Sequence, residues 1–137
     1  MKILLTGNLG YLGAIVCRHL RENFPRTEIT GYDTGYFRHC QTVPSLKKEE
    51  EPDLQFYGDV REFPSALLKG KDAVIHLAAI SNDPMGKQFE AVTSEVNFEA
   101  SVNLARLAKA HGVGAFVFAS SCSVYGVDDG TLKNEKS

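Results

Sequence analysis

A parallel, doubly wound α/β sheet is the fold class this sequence predicts, on three observations. Short apolar runs alternate with helical patterns along the whole chain. A glycine-rich turn joins the first run to the first helix, and the second run ends in an acid about 20 positions past that turn. Five strands are expected in the order 3-2-1-4-5, with right-handed crossovers, in one domain spanning 1–137.

Lys2-Ile3-Leu4-Leu5-Thr6 reads as a buried strand. The turn Gly7-Asn8-Leu9-Gly10-Tyr11-Leu12-Gly13 comes next and opens into a helix, whose N-terminus is a ready anion site. In such a turn one glycine permits the bend, one lets backbone approach a pyrophosphate, and one lets helix pack on strand; the alternative is a turn in which they only shape a loop. The helix runs from Tyr11 to about Asn23, with Leu12, Ile15, Val16, His19 and Leu20 at helical spacing, and Pro25-Arg26 break it. Strand two, Glu28–Asp33, places Asp33 where a carboxylate can hydrogen-bond the ribose of adenosine. A carboxylate there repels a 2′-phosphate, so NAD is favoured over NADP.

An irregular stretch holds Pro44, Pro52 and the run Lys47-Lys48-Glu49-Glu50-Glu51, expected as a solvated loop or short helix, with a contact surface as the alternative. Strand three covers 54–59, a short helix 61–69, and strand four 72–77, leading into Ala78-Ala79. Asn82-Asp83-Pro84 marks the start of a long helix over 86–110, and strand five covers 115–119. Phe89, Val92, Val96, Ala100, Leu104 and Leu107 form one apolar stripe on that helix, suited to packing on the sheet. Phe98, Val102 and Ala105 form a second, nearly opposite, so the helix is expected to be covered on two faces.

At 137 residues with 43% hydrophobic content the chain can bury a sizeable core. A net charge of −2 with scattered Lys and Arg argues for no nucleic-acid partner and no membrane surface. The apolar start is too short for a signal peptide and no run approaches a membrane span, so a cytoplasmic location is expected. Cys17, Cys40 and Cys122 lack CxxC spacing and read as free thiols, and the four histidines form no cluster, so no metal site is expected.

Ligands in such sheets sit beyond the carboxyl ends of the strands. Asp59 there can accept from an adenine amino group or cap the next helix. Ala78 and Ala79 let a flat cofactor lie against the backbone, or let a helix pack closely. Ser121 can polarise a carbonyl or alcohol, or simply form a turn, and His76 reads as a satisfied strand histidine.

In order, Thr6-Gly7-x-x-Gly10-Tyr11-Leu12-Gly13, Asp59-Val60, His76-Leu77-Ala78-Ala79, Val96-Asn97 and Ser120-Ser121-Cys122-Ser123-Val124-Tyr125-Gly126 resemble the extended short-chain dehydrogenase/reductases. Within these the likeness is to the NAD-dependent nucleotide-sugar epimerases and dehydratases. The resemblance implies a Rossmann-type sheet, NAD as cofactor, a nucleotide-sugar substrate and a place in surface-polysaccharide synthesis. It implies that Gly7, Gly10, Tyr11, Leu12 and Gly13 hold the pyrophosphate, Asp33 the ribose, Asp59 and Val60 the adenine. Leu77, Ala78 and Ala79 would line the dinucleotide cleft, with Asn97 near the cofactor. Ser121 would hydrogen-bond the reacting sugar oxygen, and Ser81 and Asn82 would begin the substrate pocket.

The family's base is a tyrosine whose pKa is lowered by a lysine four residues later. Here position +4 is Ile15 for Tyr11, Tyr36 for Tyr32, Cys40 for Tyr36, Arg61 for Tyr57 and Asp129 for Tyr125. The expectation is therefore an N-terminal portion, truncated after about five strands, lacking the Tyr-x-x-x-Lys helix and the substrate lobe and inactive alone. That missing helix would cover the second stripe, so self-association or a homodimer through the 86–110 helix is expected. The alternatives are a non-catalytic NAD-binding module and an NADP-dependent keto-sugar reductase.

Overall fold

A computed structural model describes residues 1–40, 51–81, 88–126 and 130–137. Five strands, β1 (Lys2–Thr6), β2 (Glu28–Asp33), β3 (Leu54–Tyr57), β4 (Ala73–His76) and β5 (Ala115–Phe118), form one sheet in the order β3-β2-β1-β4-β5. Every neighbouring pair is parallel, as the alternation of strands and helices requires. Pro44, most of the 47–51 charge run, and the Asn82-Asp83-Pro84 helix start lie outside the described residues.

β1 is central and buried on both faces, which is why its side chains show no polar alternation. Ile3 and Leu5 join Cys17, Leu20 and Ile29 beneath α1 (Tyr11–Asn23). Leu4 joins Tyr32, Val60, Phe63, Leu68, Val74, Ala100, Leu104 and Ala108 on the other face. The helical phase expected for α1 is corrected in part: Val16 and Leu20 pack on the core, but Leu12, Ile15 and His19 are exposed, and Gly13, Ala14 and Cys17 join Leu20 on the buried side. Small residues face the sheet because α1 leaves the glycine turn tightly apposed to β1.

The segment expected as one helix over 61–69 is two short 3₁₀ turns, Val60–Glu62 and Ser65–Leu68, separated at Pro64. The long helix is divided too, into α2 (Glu90–Ser94), a π turn (Glu95–Glu99) and α3 (Ala100–Ala110). A π turn carries one extra residue, which rotates the helix before it by about 100° relative to the helix after it. The first apolar stripe is therefore corrected: Val96, Ala100, Leu104 and Leu107 pack on the core, whereas Phe89 and Val92 are exposed. Of the second stripe, Phe98 is 66% exposed and lines an open groove with the exposed Phe118 of β5. No helix among the described residues is long and apolar enough to cross a membrane.

Candidate functional site

β2 and β3 lie on one side of β1 and β4 and β5 on the other, so the sheet changes direction at the carboxyl ends of β1 and β4. That crevice is where such sheets bind ligands. Gly7 occupies it with φ of +73°, and a Cβ there would meet the Ala78 backbone nitrogen at 2.6 Å. Its N–H donates to the Tyr32 carbonyl at 2.9 Å, and the Leu77 N–H donates to the Thr6 carbonyl at 3.1 Å. The turn is thereby stitched to β2 and β4 together.

Gly13 packs α1 onto the turn, leaving no room for a Cβ beside the Gly7 carbonyl and Asn8. Gly10 differs: its nearest neighbour would be the Gly7 carbonyl oxygen at 3.3 Å, so its Cα side opens outward. It is the N-cap of α1, offers no side-chain cap, and is succeeded by a first turn without an acidic residue. The orphan N–H groups and positive dipole end of α1 are thus left for an external anion. Tyr11 and Leu12 keep their side chains exposed.

Asp33 ends β2 at the lip of the turn. Its Oδ2 accepts the Leu9 N–H at 3.0 Å and its Oδ1 the Gly35 N–H at 2.7 Å. These bonds fix the carboxylate beside the glycine turn while each oxygen keeps a second lone pair.

At the end of β3, Asp59 is a cap: its Oδ1 accepts the Arg61 N–H at 2.9 Å, and its carboxylate pairs with the Arg61 guanidinium at 2.7 Å. The Arg61 side-chain hydrogen bond holds the Asp59 carboxyl below the usual carboxylate range. The Tyr32 hydroxyl donates to the Asp59 carbonyl at 3.0 Å, and burial, then the Asp59 charge, push the Tyr32 phenol up. Gly58 makes room for that phenol. Val60 points into the core at 5% exposure, so its side chain is not offered to the crevice.

Past β4, Leu77 is packed against the α1 side of the core and Ala78 is half-buried, whereas Ala79 and Ser81 are exposed. Asn97, in the π turn, clamps this loop: its Nδ2 donates to the Ile80 carbonyl and its Oδ1 accepts the Ile80 N–H, both at 2.8 Å. His76 is buried, paired through Nδ1 with the Thr6 hydroxyl at 2.6 Å and through Nε2 with the Ser101 hydroxyl at 2.8 Å. It is the satisfied strand histidine expected. Ser121 is exposed just past β5, on the far side of β4 from the turn. Asp33 and Ser121 are three strand spacings apart, roughly 14 Å, a span suited to a dinucleotide laid across the strand ends. Asn82 lies outside the described residues.

Sequence reasoning missed the buried Asn8, whose amide pairs with that of Gln55 at 2.6 Å and ties the turn to β3. It also missed Arg61 and Glu95. The pair they form has no local pattern, because the two residues are 34 positions apart.

The chain matches the NAD dependent epimerase/dehydratase family over residues 3–137. An uncharacterised UDP-glucose epimerase of Bacillus subtilis is 28% identical over 100% of this chain and 45% of its own length. A UDP-N-acetylglucosamine 4-epimerase from Methanobrevibacter ruminantium, solved with UDP-N-acetylmuramic acid, superposes with a TM-score of 0.78 at 25% identity, over 98% of this chain and 42% of that one. A short-chain dehydrogenase/reductase superfamily protein from Agrobacterium tumefaciens, solved with NAD, gives 0.68 at 30% identity, over 92% and 34%. This chain therefore spans less than half the length of each of them. The glycine turn, the acid ending β2 and the order of the sheet agree with a match that runs across nearly every residue, and the chain belongs to the NAD dependent epimerase/dehydratase family.

Proposed function

We propose that this chain is the NAD-binding part of an enzyme that epimerises or dehydrates a nucleotide sugar. The observation that carries this reading is Asp33, whose carboxylate is fixed by the Leu9 N–H at the edge of a glycine turn with an uncapped helix start. Gly10, Tyr11, Leu12 and Gly13 would present backbone to the pyrophosphate. Asp33 would accept from the ribose hydroxyls, Asp59 and the Val60 backbone would border the adenine, and Leu77, Ala78 and Ala79 would line the cleft beside Asn97. When bound, NAD accepts and returns a hydride, which takes the sugar through a transient keto form. Ser121 would donate a hydrogen bond to the reacting sugar oxygen, in a pocket begun by Ser81 and Asn82. The tyrosine–lysine pair of the family's acid–base step is not among these 137 residues, so the chain alone is expected not to turn over UDP-glucose.

Calorimetric titration tests the cofactor reading. NAD should bind, NADP should bind at least tenfold more weakly, and Asp33→Ala should lose about tenfold or more in NAD affinity, as expected for hydrogen bonds to a charged acceptor. Equal affinity for NAD and NADP would overturn the role of Asp33. NAD binding without any response to UDP-sugars would favour a non-catalytic module.

Phe98, Val102, Ala105, Phe116 and Phe118 line an open groove of about 290 Å³ between α3 and β5. This apolar face is where a second copy would pack. Sedimentation should show dimers, and Phe98→Lys should raise the dimer dissociation constant at least tenfold by placing a charge in the contact. A wild-type chain that stays monomeric at high concentration would count against it.

A further inference from the structure

Asp59, at the border of the cleft, is joined through Arg61 to Glu95 by an ion-pair bridge. Arg61 Nε contacts both Asp59 oxygens at 3.1 Å and Nη2 contacts Oδ2 at 2.7 Å, while Nη1 reaches the Glu95 Oε2 at 2.8 Å. Glu95 belongs to the same π turn as Asn97, which clamps the loop after β4. One helical turn thus grips the loops after β3 and β4 from two sides.

Three N–H groups of Arg61 hold the Asp59 carboxylate. Oδ1 accepts the Arg61 backbone N–H at 2.9 Å, Oδ2 accepts Nη2 at 2.7 Å, and the Nε–H is shared between the two oxygens. A carboxylate offers about four lone-pair sites, so three N–H donors leave it one acceptor site for a ligand. The Tyr32 hydroxyl fixes the Asp59 backbone at the same time. The carboxylate is therefore held in place and still has an acceptor to offer an incoming amino group.

We infer that Arg61 is a positioning residue that orients Asp59 toward the exocyclic amino group of adenine, and that Glu95 ties this adenine end to the helix turn carrying Asn97. This rests on the reading of the cleft as an NAD site. Arg61→Lys would keep the charge but lose the planar fork that holds both carboxylate oxygens.

The test compares NAD with its deamino analogue, in which hypoxanthine replaces adenine and a carbonyl stands where the amino group was. The wild-type chain should prefer NAD by about tenfold, the size of one hydrogen bond to a charged group. Arg61→Met and Arg61→Lys should bring that ratio close to one. Glu95→Ala should lower it part of the way, and Arg61→Met/Glu95→Ala should match Arg61→Met alone, because the two residues act in series. A merely structural role would weaken both dinucleotides equally and leave the ratio intact, which would overturn the inference. Wild-type binding of both with equal affinity would overturn it too, while leaving the NAD reading standing. Failure to bind either dinucleotide would sink both.

Discussion

Gly13→Ala and Gly7→Ala should each abolish dinucleotide binding and lower the midpoint of thermal unfolding by roughly 10 °C, a loss of about 3 kcal/mol or more. A methyl on Gly13 would run into the Gly7 carbonyl and stand 2.6 Å from the Asn8 carbonyl carbon. Both are backbone atoms held by the sheet, so the clash can be relieved only by lifting α1 off β1 and exposing Cys17 and Leu20. At Gly7 two costs combine. An L-residue pays about 1–2 kcal/mol for the left-handed conformation, and its Cβ would press on the Leu77 and Ala78 backbone at 2.6–2.7 Å. Gly10→Ala supplies the contrast. Its φ is −77° and its closest neighbour is 3.3 Å away, so stability should move by less than about 1 kcal/mol. Because a methyl there stands on the open side of the turn, NAD affinity should still fall severalfold in a calorimetric titration. A Gly10→Ala chain as unstable as Gly13→Ala would mean that the two glycines do the same work and that the open cradle is misassigned.

The turn, Asp33, strand order and all five strands were legible because each rests on local signals: an apolar run, a glycine, an acid at a fixed remove. The phase of α1 was not. Leu12 and Ile15 follow the apolar period, but the face that packs is chosen by how closely the helix must approach the turn, and that favours Gly13 and Ala14 over larger neighbours. The π turn was equally hidden, since one extra residue leaves composition unchanged while rotating Phe89 and Val92 off the core face. The polar ties were the least visible. Thr6 and His76 are 70 residues apart, Asn8 and Gln55 are 47, and Arg61 and Glu95 are 34, so no short window contains both members. For Asp59 the residues left two roles open. The geometry shows the capping bonds in full, and three N–H donors do not use up the carboxylate, so capping does not exclude a ligand contact.

His76 should make the chain acid-sensitive in a defined window. Its ring is buried between Thr6 of β1, Ser101 of α3 and the stacked Phe118, and burial lowers its pKa to about 4. Unfolded, the ring titrates at 6.5. The unfolded chain therefore binds the extra proton first, and stability must fall as pH drops from about 6.5 toward 4. Above 6.5 the contribution is complete; below 4 it is gone. The size is roughly 3 kcal/mol, from 1.36 kcal/mol per pKa unit. The cost comes from the charge rather than from lost hydrogen bonds, because the Thr6 and Ser101 hydroxyls can both accept from an imidazolium. Asp59 does not blur this window. Its carboxyl is already held below 3.8, so its own contribution is lost at more acidic pH as it falls through the folded value. Urea unfolding of the wild type at pH 7, 6, 5 and 4 should trace the decline. His76→Gln can keep hydrogen bonds to Thr6 and Ser101 but cannot titrate, so it should start lower and stay nearly flat over the same interval. A variant that declines in parallel with the wild type would place the acid sensitivity elsewhere. A flat wild type would mean that the ring accepts its proton in the folded state at an ordinary pKa, which a ring 1% exposed and bonded to two hydroxyls rather than a carboxylate has no physical means to do.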